Sequence, residues 1–264
     1  MLNAEHIAVT FNEGTPDEKQ ALKGINLKLD KGEFVTVIGG NGAGKSTLMN
    51  VISGNLMADV GNIMINDKKV EQLAEYKRSR FIGRVFQDPM AGTAPSMTIE
   101  ENLAIAFSRN KLRSIRPGVT KKRKEIFREY LQTLHLSLEN RLNARVGLLS
   151  GGERQALSLL MATFTEPEIL LLDEHTAALD PARAELITDL TTKIVKQFDL
   201  TTLMVTHNMQ QALDMGTRLI MMDQGQIILD IANEEKQQLT VKDLMNEFQK
   251  IRGHQMVSDE AVLG

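Results

Sequence analysis

An α/β fold is predicted for this 264-residue chain. It would have a phosphate-loop core, an antiparallel β subdomain and an inserted α-helical subdomain, and three observations point to it. Short aliphatic and β-branched runs alternate with helical periodicity, the pattern of buried parallel strands and their crossover helices. One of these runs, Phe34 to Ile38, breaks into glycines and then Lys45-Ser46-Thr47, which reads as strand, loop and helix. Residues 88–165 are mostly helical in pattern with no convincing strand, as an insertion into such a core would be.

Taken in order, Leu2 to Phe11 and Ile25 to Leu29 alternate apolar and polar residues, with a polar loop from Asn12 to Gln20 between them. Together with Gly61 to Asn66 they predict an antiparallel sheet. Ile82 to Phe86, Ile169 to Leu172, Thr201 to Val205 and Leu219 to Met222 suit buried parallel strands. Leu186, Ile187, Leu190, Ile194 and Val195 recur at helical spacing after Asp180-Pro181, where Asp caps and Pro suits the first turn. The core is therefore expected over 1–87 and 166–230, with the helical subdomain over 88–165. An extension, 231–264, follows. It should carry a capped amphipathic helix, 240–251, with Leu244, Phe248 and Ile251 on the face that packs on the core, and disorder is expected from about Gly253 onward.

Composition narrows the classes. The 42% hydrophobic content supports a packed fold, and a net charge of -3 gives no global reason to expect nucleic acid. Zero cysteines exclude disulfides and thiolate metal sites. No apolar run is long enough to span a bilayer and Met1 to His6 lacks the features of a signal peptide, so a cytosolic protein is expected unless a partner holds it to a membrane. Arg109 to Arg128 carries nine Lys or Arg against one acid, Glu125; it reads as a solvated helical face, or as a contact for anionic lipid or an acidic partner surface.

The loop Gly39, Gly40, Asn41, Gly42, Ala43, Gly44, Lys45, Ser46, Thr47 satisfies G-x-x-x-x-G-K-[ST]. Missing side chains let backbone N–H groups converge on polyphosphate oxygens, and Lys45 adds a full positive charge. The Ser46 hydroxyl suits the Mg²⁺ that accompanies the phosphates, and the helix it opens turns its positive end toward them. A nucleoside triphosphate is the expected ligand, with kinases, GTPases and motor ATPases all open at this point.

Leu149-Ser-Gly-Gly-Glu-Arg-Gln155 decides among them, because a buried-looking helix follows it and then Glu168-Ile-Leu-Leu-Leu-Asp-Glu174. Here the chain resembles the ATP-binding cassette ATPases, with their RecA-like core, over residues 1 to about 230. Ser150-x-x-Glu153 is a capping box in its own right, and a capped helix start with two bare glycines is also an anion cradle. The resemblance implies that Ser150, Gly151, Gly152 and Gln155 meet the γ-phosphate bound by the opposite subunit. It implies that Asp173 organises Mg²⁺ through water, that Glu174 polarises the attacking water, and that Gln87 contacts Mg²⁺ and water and faces a membrane partner. His207 matches the switch histidine that contacts the γ-phosphate, and Ala178-Leu-Asp180 the loop that crosses the dimer interface. Phe11 falls where an aromatic lies under adenine; a core strand residue is the other reading.

Two departures stand out. Gly40 replaces a common Pro or Ser and should loosen the loop. His175 follows Glu174 where Pro is usual, restoring a backbone N–H and placing a titratable ring beside the acids, with altered pH dependence as the expected consequence. The resemblance as a whole implies an ATPase, using ATP and Mg²⁺, that powers solute import. It would work as a head-to-tail pair of copies with separate transmembrane permease subunits and, indirectly, a solute-binding protein, as a peripheral protein at the cytoplasmic face of the cell membrane, with no nucleic acid. Residues 86–103 look like bacterial importer subunits, and an amino acid is the suggested solute, with an aromatic one as the narrower suggestion. A soluble cassette ATPase of translation or DNA repair, or a non-hydrolytic nucleotide-binding scaffold, are the rival readings.

Overall fold

The computed structural model describes residues 1–109 and 118–250. In chain order the elements are β1 (Leu2–Phe11), β2 (Lys19–Leu29), β3 (Phe34–Gly39), α1 (Lys45–Ser53), β4 (Val60–Ile65), β5 (Lys68–Lys69), α2 (Glu75–Arg78) and β6 (Ile82–Val85). Then come α3 (Ile99–Phe107), α4 (Lys121–Gln132), α5 (Gly151–Thr163), β7 (Ile169–Asp173), α6 (Pro181–Gln197), β8 (Thr201–Val205), α7 (Met209–Asp214), β9 (Arg218–Asp223), β10 (Gln226–Ala232) and α8 (Asn233–Gln238). A last helix, α9, occupies 241–250.

Two sheets form. The four-stranded one is antiparallel in the order β2-β1-β4-β5, and the six-stranded one runs β10-β9-β3-β8-β7-β6, parallel except for the β10 edge. Period-two alternation divides the core. On β7, Leu170 and Leu172 join residues of α5 and α6, whereas Ile169 and Leu171 join α1 and the antiparallel sheet on the other face. With these four side chains fully buried, each contributes about 1.5–3 kcal/mol relative to exposure.

Local chemistry sets the helix starts. Thr98 with Glu101 and Ser150 with Glu153 close capping boxes on α3 and α5, and Asp180 caps α6 with Pro181 in its first turn. Arg78, 1% exposed, donates to the carbonyls of Val51 and Ile52 at the end of α1, placing a cation where the helix dipole is negative.

The strands β2 and β10 differ from expectation, whereas the C-terminal helix packs as expected. β2 begins at Lys19 rather than Ile25, because the residues before Ile25 pair with β1 although their pattern is broken by register shifts. β10 was not legible: it is an edge strand, half-exposed, and it exists because Gln224 and Gly225, both at positive φ, turn the chain back on β9. It runs through Asp230 to Ala232. On α9 Leu244 is fully buried beside Ile38, Ala212, Leu219 and Met221, with Phe248 against the same cluster; Ile251 and the segment from Gly253 lie outside the described residues. Of the basic stretch, residues 110–117 also lie outside them; Lys124 pairs with Glu100 at 2.8 Å and Arg123 lies over the Phe107 ring.

Candidate functional site

The loop between β3 and α1 is held by close backbone approach. Gly44 is left-handed (φ 101), and a Cβ there would meet the Ala21 carbonyl at 2.7 Å. A Cβ on Gly39 would run into the Met222 carbonyl. The β9–β10 turn braces the loop from outside, since the Gly225 N–H donates to the Ala43 carbonyl at 3.0 Å. Lys45, 7% exposed, folds its ammonium back onto the Gly39 and Gly40 carbonyls at 2.8 and 3.0 Å. Burial lowers its pKa, while Glu174 and Asp173 pull the other way. Two carbonyls thus hold a cation that a polyphosphate would take over.

A cleft of about 220 Å³ lies over this loop, lined by Asn41 to Thr47, Glu174, Phe11, Ala21 and Lys19. Phe11 is 39% exposed, so its ring is open to the cleft rather than in the core. Lys19 is a second cation that sequence reasoning missed. Only the antiparallel register, which pairs it with Phe11, brings it there.

Asp173 ends β7, Glu174 follows it, and the two part company. Asp173 accepts from the Arg84 guanidinium at 2.8 Å. Glu174 sits at φ 45, a left-handed geometry that costs a non-glycine residue about 1–2 kcal/mol, with its N–H on the Val205 carbonyl. Its carboxylate lies 3.5 Å from His207 Nδ1. Behind that pair, Gln211 accepts from Thr206 at 2.8 Å and donates to Thr176 and Thr188 at 3.2 and 3.0 Å, so one amide ties the His207 loop to the segment after Glu174. Neither Gln211 nor Arg84 carried a readable signal, since each acts through a contact far away in sequence. A larger cavity of about 470 Å³ opens beside Glu174 and His207.

His175 does not stand beside the acids as a free titratable ring, as the sequence suggested. It is 2% exposed, its Nε2 lies 3.0 Å from Thr191 Oγ1 on α6, and burial depresses its pKa to about 4. The ring faces the core, not the acids, and is neutral at physiological pH. An unfolded histidine protonates near pH 6.5. Burying the neutral ring is therefore free of protonation cost above that pH and loses stability as pH falls from there toward 4.

Ser150, Gly151 and Gly152 open α5, with Ser150 N–H on the Glu153 carboxylate at 2.7 Å and Arg141 closing on the same carboxylate at 2.6 Å. None of them lines the cleft over the phosphate loop. Gln155 is a correction to the predicted trans surface. It is fully buried and its Nε2 donates to the Phe86 carbonyl at 3.3 Å, because past its first turn α5 is buried on nearly every face. Gln87, next to that carbonyl, is exposed at the junction with the helical segment.

The family model described as ABC transporter matches residues 22–177. The tyrosine transport ATP-binding protein of Clostridioides difficile (strain R20291) is 42% identical over 249 residues, covering 94% of this chain and 99% of that protein. The sulfate/thiosulfate import ATP-binding protein CysA of Halalkalibacterium halodurans is 37% identical over 209 residues, 79% of this chain but 56% of the longer relative. Among solved structures, a dimeric post-hydrolysis state of an ATP-binding cassette bound to ADP and Pi superposes with a TM-score of 0.75 at 28% identity, covering 88% of this chain and 98% of that one.

Proposed function

Because the chain belongs to the ABC transporter family, whose model spans more than half of it, we propose that it is the ATP-hydrolysing subunit that powers solute import through separate membrane permeases. One observation carries the reading: Lys45 and Glu174 share one cleft, with His207 on the Glu174 carboxylate. Catalysis of phosphoryl transfer is mostly positioning and charge neutralisation, so no covalent intermediate is required of the protein. Lys45 and the backbone N–H groups of Gly39 to Thr47 bind the phosphates, Glu174 orients and polarises water, and His207 holds the γ-phosphate. The likenesses support no soluble role in translation or DNA repair and no non-hydrolytic scaffold.

The donor set suits Mg²⁺, a hard cation that prefers oxygen. Ser46 offers a hydroxyl beside Lys45, Asp173 a carboxylate at the strand end, and Gln87 an amide oxygen. The described residues contain no cluster of three or more His, Cys, Asp or Glu that could hold a metal ion. When bound, Mg²⁺ neutralises phosphate charge.

Ser150, Gly151 and Gly152 complete the site of a second copy, in a head-to-tail pair. No helix among the described residues is long and apolar enough to cross a membrane. We place the protein peripherally, at the cytoplasmic face, on permeases served by a solute-binding protein. The named relative that transports tyrosine supports an amino acid, an aromatic one, as solute.

Two outcomes check this reading. Phe11 is assigned to stack on adenine, so Phe11→Tyr is nearly neutral and Phe11→Ala weakens ATP binding by about 1–3 kcal/mol, measured by calorimetry. Equal affinities for Ala and wild type return Phe11 to a structural role. Coupling is tested at Met90, 40% exposed after Gln87, whose sulfur lies 2.8 Å from the Arg154 guanidinium on α5. A permease helix seated there meets both the glutamine segment and the first turn of α5. Met90→Arg is expected to leave basal ATPase of the isolated protein intact and to abolish co-purification with the permease and solute uptake. Wild-type protein that assembles with no membrane partner would refute the importer reading.

A further inference from the structure

Arg84 sits where three parts of the nucleotide site meet. It lies on β6 opposite Leu171 in parallel register, which makes Asp173, two residues on, its diagonal neighbour on the same face of the sheet. One terminal nitrogen donates to Asp173 Oδ2 at 2.8 Å. The other donates to Asn50 Oδ1 at 2.8 Å and Ser53 Oγ at 3.2 Å, both on α1, the helix that the phosphate loop opens. The guanidinium carbon lies 4.8 Å from the Phe86 ring centroid, and the Phe86 carbonyl in turn accepts from the Gln155 amide of α5, just before Gln87. The Arg84 and Asp173 side chains are only 11% and 16% exposed, so solvent screens the pair weakly.

We propose that Arg84 is a positioning residue for Asp173: it holds the carboxylate by one oxygen, leaves the other for the hydrated divalent cation, and by its charge weakens the grip of Asp173 on that cation. This rests on the reading that Asp173 organises Mg²⁺. The physics has a definite sign. A guanidinium in contact with a carboxylate cancels much of the field the carboxylate presents to a second cation nearby, and the partial burial makes that cancellation stronger than it would be in water. The pair therefore sets how much Mg²⁺ the site requires before nucleotide is held firmly. The contacts to Asn50 and Ser53 fix the guanidinium to α1, so the carboxylate and the phosphate loop keep one geometry. Through the Phe86 ring the same side chain reaches the residue that precedes Gln87.

The test uses full-length protein with Glu174→Gln, so that hydrolysis does not obscure binding, and a fluorescent ATP analogue titrated with Mg²⁺. Arg84→Met keeps length and contact with Phe86 but removes the charge. It is expected to lower the half-saturating Mg²⁺ by about threefold or more while leaving Mg²⁺-free nucleotide binding unchanged. Arg84→Lys keeps a cation and should stay within about twofold of the parent. It also serves as the test if the Met variant does not fold, for a severalfold shift with Lys overturns the charge argument. An unchanged or raised Mg²⁺ requirement in folded Arg84→Met overturns the proposal. A parent protein whose nucleotide binding ignores Mg²⁺ overturns instead the reading of Asp173 on which it rests, so the two failures are distinct.

Discussion

A Glu174→Gln protein is expected to bind ATP, to remain paired in its presence, and to turn over at least about a hundredfold more slowly than wild type, a loss on the order of 3 kcal/mol of barrier stabilisation. Glutamine keeps the size and the hydrogen-bonding reach of the side chain but cannot polarise water as a carboxylate does. The geometry separates this residue from its neighbour. Asp173 is taken up by Arg84, whereas the left-handed turn at Glu174 sets its carboxylate 3.5 Å from His207 and at the edge of the cleft over Lys45. Steady-state phosphate release and nucleotide binding, measured on the same preparation, distinguish chemistry from affinity. Hydrolysis near the wild-type rate would remove Glu174 from the role of base.

The second large effect concerns Ser150 and Lys45 in two different copies of the chain. Ser150→Arg blocks the capped start of α5 with a bulky cation, and Lys45→Ala removes the charge inside the phosphate loop; each alone should disable the homodimer. Within one protomer the residues of the 149–155 segment do not line the phosphate-loop cleft. A mixture of the two variants therefore forms heterodimers with one intact composite site and one doubly damaged site. Labelled ATP held in a dimer should be partly recovered in the mixture, whereas neither variant alone should form an ATP-held dimer. No recovery, together with no ATP-dependent dimer in sedimentation, would mean that the site is not shared. Binding is a better readout than hydrolysis here, since a damaged site can silence turnover at its intact partner.

Some parts of this protein are determined locally, and those were legible. The phosphate loop is one, because glycines at fixed spacing after an apolar strand serve backbone donors that need no distant partner. The capping box at Ser150 and the Asp180-Pro181 helix start are others, each complete within four residues. The unbroken apolar run Ile169 to Leu172 announced a strand buried on both faces, and each face did find its own cluster.

What tertiary structure decided is where side chains go once strands are in register. Lys19 reaches the cleft because β1 and β2 pair, Arg84 reaches Asp173 because β6 and β7 are adjacent, and Gln211 ties Thr206 to Thr176 because β8 lies next to β7. His175 and Gln155 show the converse. Both stand inside motif segments, yet burial turns one against Thr191 and the other onto the Phe86 carbonyl. The physical reason is the same throughout. Backbone geometry and capping are settled by neighbours a few residues away. The direction, charge state and partner of a side chain depend on packing between strands and helices that the chain brings together from far apart.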